Sequence, residues 1–388
     1  MKSYISNSQL IQNLSIRDLT DPDQGAHAMQ LLLTAVVENL THMWNTDTDV
    51  LRLGAVVPVQ DNYDKLGFDA DAVTRDRRYS RYLGPNVMLR SHTSAYIPWI
   101  LQQMDDASDV DRLVVLPGRV YRRDAIDRTH VGAPHQVDLW RLVSRPDLTD
   151  QDLSAMIESV VRSVLPDAEW RAVPADHPYT RGGHQIDVRI GDAWMELAEC
   201  GSISPQLLQR SGLDPTRWSG LALGMGLDRA LMLRKGIDDI RLLRAEDPRI
   251  RSQMLHLERW QPVSYMPPVR RDISVVVHES IDGELLGDAI RTALDGDGEL
   301  LESVELLSVT TYDDLPDAAR VRLGLGSNQV NALIRITLRP IGRTLTDREA
   351  NLLRDRVYRA VHIGPASELI DGRVLLDGRS ADDERQNP

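Results

Sequence analysis

The chemistry in this chain starts from two arginines, a glutamate and a few histidines in unusual company. Arg122 lies in Gly118-Arg-Val-Tyr-Arg-Arg-Asp-Ala-Ile-Asp-Arg-Thr-His130, with His135-Gln136 close behind. Arg229 follows Gly224-Met-Gly-Leu-Asp. Glu196 lies in Trp194-Met-Glu-Leu-Ala-Glu-Cys-Gly201, and His92 in Arg90-Ser-His-Thr-Ser94. A guanidinium stays ionised and presents a planar fork that matches phosphate oxygens. Each feature also has a plainer reading: Arg122 and Arg123 as a solvated pair on an edge strand, Arg229 as a surface helix residue, Glu196 as the water-facing member of an alternating strand, and the histidines as ordinary hydrogen-bonded side chains. The histidines show no zinc spacing, and the single cysteine, Cys200, excludes a multi-cysteine zinc site or an intrachain disulfide. Cys200 reads as a small buried residue.

These residues need elements to hold them. His27–Met43 carries apolar residues at helical spacing. Leu113–Arg122 and His135–Val143 read as two antiparallel strands joined by a long loop. Thr149, with Asp152 three residues on, opens an amphipathic helix. Gln185–Ile190 and Ala193–Ala198 form a hairpin around Gly191-Asp192. The small, apolar run Ser219–Met225 leads into a helix over Gly226–Lys235 that Gly236 stops. Residues 246–265, rich in proline, read as a linker. Beyond it come a strand (Asp272–His278), a helix (Ile281–Asp295), two strands (Leu300–Tyr312 and Ala332–Leu338) and a helix opened by Thr346 and Glu349, an order that suits a split βαβ sandwich. Residues 364–388 form a polar tail.

The chain has 388 residues, 42% hydrophobic and 27% charged, with a formal charge of -13. That balance suits a globular protein of two or three domains. It excludes a basic polyelectrolyte but not a local basic surface. Of 45 basic residues only Lys2, Lys65 and Lys235 are lysine. No run of 18 apolar residues occurs, and Met1–Leu10 has no apolar signal core. With one cysteine, the expectation is a cytoplasmic, reducing setting without membrane contact.

In this order and spacing the four segments resemble the catalytic domain of class II phenylalanyl-tRNA synthetases. Residues 266–363 resemble that family's ferredoxin-like anticodon-binding domain, through Pro267-Pro-Val-Arg-Arg-Asp-Ile-Ser274, Leu301-Glu-Ser-Val-Glu-Leu306 and Arg343-Thr-Leu-Thr-Asp347. The resemblance implies an α+β protein: a catalytic domain over 1–245 built on an antiparallel sheet with flanking helices, the linker 246–265, and the ferredoxin-like sandwich over 266–363. It implies ATP-dependent aminoacylation of tRNA, with ATP and magnesium as cofactors and tRNA and an amino acid as partners. DNA is not expected as a partner, and the chain is expected as a monomer or homodimer. Arg122 would hold the α-phosphate and the substrate carboxylate, and Arg229 the γ-phosphate. Asp124 would lie near the adenine amino group, His130 in a loop over ATP, and Glu196 on magnesium. Ser94, Gln136 and Asp138 would meet the amino acid's charged groups. His177, Tyr179, Glu199, Leu221 and Leu223 would build its side-chain pocket, and Arg320, Arg322, Arg335, Arg339 and Arg343 would contact tRNA.

Departures from the family fall at the substrate positions. Its Phe-His-Gln reads Pro134-His135-Gln136, removing a ring that stacks on adenine. Its Phe-Pro-Phe-Thr reads His177-Pro178-Tyr179-Thr180, and the following Pro-Ser-x-Glu reads Gly182-Gly183-His184-Gln185. Aromatic positions before the last motif read Leu221-Ala222-Leu223, and a glycine reads Glu199, a new charge facing the pocket. Phenylalanine remains the first expectation, since Phe68 is the only Phe in the chain and the losses fit a general avoidance. A polar aromatic or non-proteinogenic amino acid, or a non-catalytic RNA-binding role, are the alternatives. Residues 266–363 carry 12 Arg against 16 acidic residues, so RNA contact there needs arginines gathered on one face.

Overall fold

The computed structural model describes residues 4–364 apart from 77–78, 106–108, 124–126, 147, 264–265, 318–319, 321–322, 324, 327 and 341–342. The expected ATP contact Asp124, the expected tRNA contact Arg322 and the tail from 365 onward lie outside the described residues. The chain divides into two compact units, one of residues 1–267 with 340–344, the other of 268–339 with 345–388.

The first unit is built on a mixed sheet. Among the described residues its strands are β1 (Asp47–Val50), β4 (Asp111–Arg119), β5 (His135–Val143), β6 (Trp170–Pro174), β7 (Thr180–Ile190), β8 (Ala193–Ile203) and β9 (Ser219–Gly226), in the order β1-β4-β5-β9-β8-β7-β6. Only the β1–β4 pair is parallel. A short antiparallel pair, β2 (Val56–Pro58) and β3 (Val87–Leu89), stands apart. The central strands are buried on both faces, and the period of two sorts their side chains. Leu113, Val115, Val137, Leu139, Leu221, Leu223 and Met225 face the helices α2 (Ala28–Trp44), α4 (Asp150–Val164) and α6 (Leu227–Lys235) in the main core. Val114, Leu116, Trp140, Leu142 and Ala222 face the opposite side, packed with residues of α3 (Ile97–Gln102) and α5 (Pro205–Arg210). A short α1 (Asn7–Ser15) precedes them.

Local chemistry sets the ends of these elements. Thr149 and Asp152 close a capping box on α4, satisfying two orphan amides. Gly236, at φ 69°, takes the left-handed conformation that ends α6. Gly118 sits at φ 144°, and a Cβ there would stand 2.3 Å from the guanidinium of Arg90, which runs past it to bond the carbonyls of Arg119 and Leu53.

The stretch expected as a linker is largely part of this unit. It forms α7 (Pro248–Arg251). Ile250 and Met254 are core residues, with Leu257, Trp260 and Val263 packed against them. The fully buried Lys235 ammonium donates to the carbonyls of His256 (2.8 Å) and Glu258 (2.7 Å), fixing the segment's path. Proline there reflects irregular backbone, not mobility.

In the second unit, β10 (Val269–His278), β12 (Gln329–Leu338) and β11 (Leu301–Thr310) form an antiparallel sheet in the order β10-β12-β11. With α8 (Gly283–Leu294) between β10 and β11, this is a split βαβ unit. β12 alternates cleanly, burying Val330, Ala332, Ile334, Ile336 and Leu338. α9 (Asp347–Val361) opens with the expected Thr346–Glu349 capping box. Just past it, the Ile363 amide donates to the Val276 carbonyl of β10 at 2.9 Å.

Candidate active site

The site lies in the first unit, where the C-terminal end of β9 hands over to α6 and the loop between β4 and β5 passes overhead. Two cavities adjoin there. The smaller, of 290 Å³, is lined by Arg122 and His130 from the loop, Glu196 and Glu199 from β8, Gly224 and Gly226 from β9, and Arg229 from the first turn of α6. The deeper, of 580 Å³, is lined by Phe68, His92, Arg122, Gln136, His177, Tyr179 and Glu199 among others. Arg122, Gln136 and Glu199 line both.

In the small cavity Arg229 faces Glu196 across 3.6 Å and also reaches its carbonyl at 3.4 Å, so both stay extended toward open space. Arg122 donates through Nε to the Ser91 carbonyl at 2.8 Å, which leaves the fork's outer edge for the cavity. His130 is half exposed and its Nδ1 meets Asp127 Oδ2 at 2.7 Å. Burial would raise the Asp127 carboxyl, but the His130 ring and the Thr129 amide and hydroxyl outweigh it and hold the group at about 2. Beneath, the Asp228 carboxylate accepts the His135 amide hydrogen, sits 3.2 Å from its ring and 3.3 Å from Arg244. His135 in turn accepts the Leu19 amide at 3.0 Å. This buried network ties the start of α6 to the start of β5, and so positions Arg229 against the loop bearing Arg122. Pro134 lines the cavity where the resemblance places an adenine-stacking Phe; the rings there among the described residues are the imidazoles of His130 and His135.

The deep cavity is walled by stacked rings. Tyr179 stacks on Trp140 at 5.9 Å and lies 6.0 Å from Phe68, which stacks on His92 at 5.7 Å. Burial and the Arg122 charge lower His92 to about 3, so it is an uncharged ring. His177 Nε2 stands 3.0 Å from Glu199 Oε2. That hydrogen bond raises the His177 imidazole above its ordinary 6.5 against the opposing effect of burial, and lowers Glu199 below its ordinary 4.5.

Several expected residues lie elsewhere. Leu221 and Leu223 do not reach the pocket: they are fully buried in the helix-covered core on the far face of the sheet. The alternation of β9 gives the site face to Gly220, Ala222 and Gly224 instead. Asp138 and Ser94 are buried behind the cavities. Asp138 accepts from the hydroxyls of Thr93 and Ser94 (2.9 Å for Ser94) and from the Trp140 indole at 3.3 Å, and burial raises its carboxyl. They support the wall without lining it. Cys200 is buried, its thiol pushed up to about 12, and inert.

Phe68, Val73, Thr74, Tyr79 and Ser80 line the deep cavity from a loop whose sequence shows no period. The lone Phe was the one available signal. Trp140 was readable too, since it shares Asp138's face of β5, two residues on.

In the second unit the expected RNA-contacting arginines are mostly engaged. Arg335 makes a bidentate bond to Asp272 at 2.8 Å, Arg339 meets Glu302 at 2.5 Å, and Arg320 sits over the Tyr312 ring and 3.2 Å from Asp317. Arg343, which belongs to the first unit, donates through Nη1 to the Thr344 carbonyl at 3.1 Å.

A mixed sheet carrying a phosphate-type arginine on a strand-loop and another at a helix start matches the family model described as tRNA synthetases class II core domain (F), over residues 21–254, and the chain belongs to that family. Among curated relatives, the phenylalanine--tRNA ligase alpha subunit of Prochlorococcus marinus (strain MIT 9313) is 36% identical over 192 residues, covering 50% of this chain and 56% of that protein. The chain thus spans little more than half the length of such relatives. The chloroplastic/mitochondrial phenylalanine--tRNA ligase of Arabidopsis thaliana is 28% identical over 319 residues, covering 79% of this chain and 69% of that one. The probable mitochondrial phenylalanine--tRNA ligase of Drosophila melanogaster is 26% identical over 367 residues, covering 80% and 76%. Both organellar alignments therefore run past the core domain.

Proposed function

We propose that the chain activates an amino acid with ATP and transfers it to tRNA, with phenylalanine as first choice. The observation that carries this reading is the pair of adjoining cavities that share Arg122, Gln136 and Glu199. A carboxylate and an α-phosphate must meet at one point while a side chain and a nucleotide extend in opposite directions, and the shared wall supplies that point. The carboxylate attacks the α-phosphorus, pyrophosphate leaves, and a terminal ribose hydroxyl of tRNA then displaces AMP from the acyl group. No protein nucleophile is needed. Arg122 and Arg229 neutralise and orient phosphate oxygens, where positioning and charge complementarity supply the rate.

ATP fits the small cavity by charge, with His130 as the nearest ring for the base. Glu196, open in the same cavity, offers a hard oxygen to a magnesium ion otherwise held by phosphates, as that ion prefers. When bound, magnesium withdraws charge from the leaving pyrophosphate. The rings of Phe68 and Tyr179 suit a phenyl group. The His177–Glu199 pair in the same wall favours a second reading, a polar aromatic amino acid, because a buried polar wall rejects ligands that leave it unpaired. The split βαβ unit supports a ferredoxin-like anticodon-binding role for residues 266–363.

Amino-acid-dependent ATP–pyrophosphate exchange, run with the twenty amino acids and aromatic analogues, tests this. Exchange with phenylalanine is expected. Exchange with tyrosine-like analogues alone selects the second reading, and none from folded, tRNA-binding protein overturns both.

A further inference from the structure

The substrate's α-carbon must sit where the two cavities meet, because its carboxylate belongs to the small one and its side chain to the deep one. Three side chains line both: a cation, Arg122, a neutral amide, Gln136, and an anion, Glu199. A cation and an anion that both border the junction are the complement of a zwitterion. Resting on the amino-acid-activating reading, we propose that Glu199 is the anchor for the substrate's α-ammonium group and thereby a specificity-determining residue.

The other carboxylates nearby are ruled out by position. Asp138, expected from the family resemblance to meet the charged groups, lines neither cavity, and its oxygens accept from Thr93, Ser94 and Trp140. Glu196 lines only the small cavity and faces Arg229. Asp176 lines only the deep cavity and is exposed. Asp228 lines only the small cavity and is held by His135 and Arg244, so Glu199 alone of the five reaches both spaces. His177 bonds it through Oε2 at 3.0 Å, and among the described residues no second side chain bonds its carboxylate. His177 thus fixes the orientation of Glu199 while an oxygen remains for an incoming ammonium. An ion pair that merely closed the turn before β7 onto β8 would leave ammonium recognition untouched, and this difference is measurable.

The probes are phenylalanine and 3-phenylpropionate, which keeps the ring and carboxylate but lacks the ammonium. In full-length enzyme, Glu199→Gln is expected to raise the KM for phenylalanine in exchange about ten- to a hundred-fold, the worth of a charged hydrogen bond. The KM for ATP and the inhibition constant of 3-phenylpropionate should hold, so that discrimination between the two ligands collapses. Unchanged discrimination in Glu199→Gln overturns the proposal. So does an altered phenylalanine-to-tyrosine preference with ammonium discrimination intact, since Glu199 would then read the side chain. Wild-type protein supplies a second readout that needs no variant. An ammonium docked on Glu199 lowers the His177 pKa measured by NMR, whereas 3-phenylpropionate does not; equal shifts with both ligands refute the assignment. Absence of exchange and binding in the wild type would instead remove the activating reading itself, and the proposal with it.

Discussion

Arg229 and Glu196, the proposed phosphate and magnesium contacts, need contribute little to the fold. They face each other at 3.6 Å, both about a third or more exposed, and such pairs stabilise a protein by only about 0–1 kcal/mol. Arg229→Ala is therefore expected to leave the thermal midpoint nearly unchanged and to cut pyrophosphate exchange by about 10²–10³-fold, the scale of one lost preorganised donor. Substantial residual exchange would remove Arg229 from the machinery. His177 behaves differently, because its charge is set chiefly by Glu199, with smaller contributions from Asp138 and Asp176. The Glu199 hydrogen bond holds its pKa above 6.5 while burial pulls down. The ion pair's stabilisation is thus complete between pH 4.5 and 6.5, fades as pH climbs through the raised His177 value, and is lost in acid as pH falls through the lowered Glu199 value. An NMR titration should place the wild-type midpoint above 6.5. In Glu199→Gln it should fall, since only the charges of Asp138 and Asp176 then oppose burial; an unchanged midpoint would mean another group holds the proton.

At the scale of elements, one extra residue decides which carboxylates share a cavity. Positions three apart on a strand face opposite ways. Glu196 and Glu199 nevertheless line the same cavity, because β8 shifts register against β7 where Ala198 pairs Ile186 but Glu196 pairs Asp187, leaving Leu197 as a bulge. β9 shows the opposite case, an unbroken alternation. Gly220-Leu-Ala-Leu-Gly-Met225 reads small, large, small, large. Its large residues cover the helix-packed core; of its small ones Gly224 borders the small cavity, while Gly220 and Ala222 are packed into the opposite side of the sheet. Leu223→Ala should accordingly cost about 2–5 kcal/mol of unfolding free energy, as a core truncation does. The KM for phenylalanine in the folded fraction should stay at the wild-type value. A changed KM with unaltered stability would return Leu223 to the pocket.

Across the whole molecule, each compact unit closes its own core, which permits the two to be tested apart. Deleting residues 268–388, the second unit together with residues 340–344 of the first, should spare adenylate formation and impair tRNA charging. Loss of both activities would make the two units one folding unit. The second unit is net acidic, and Arg320, Arg335 and Arg339 already hold carboxylate partners. Arginines neutralised in this way release few counterions on binding RNA.

Local order was legible where a short-range rule suffices. The capping boxes at Thr149 and Thr346, the stop at Gly236 and the hairpin about Gly191 depend on residues within a turn of one another, and the sequence alone determined them. The motif order also identified Arg122, Glu196 and Arg229, which the fold brings around one cavity. The linker between domains was misread because proline reports irregular backbone and says nothing of whether that backbone is packed. Only the tertiary structure decided which face of β9 borders the cavities, that Asp138 is spent on Thr93, Ser94 and Trp140, and that a loop carrying Phe68 lines the deep cavity. Those outcomes depend on strand register and on contacts between residues tens of positions apart, and neither leaves a local trace in the order of amino acids.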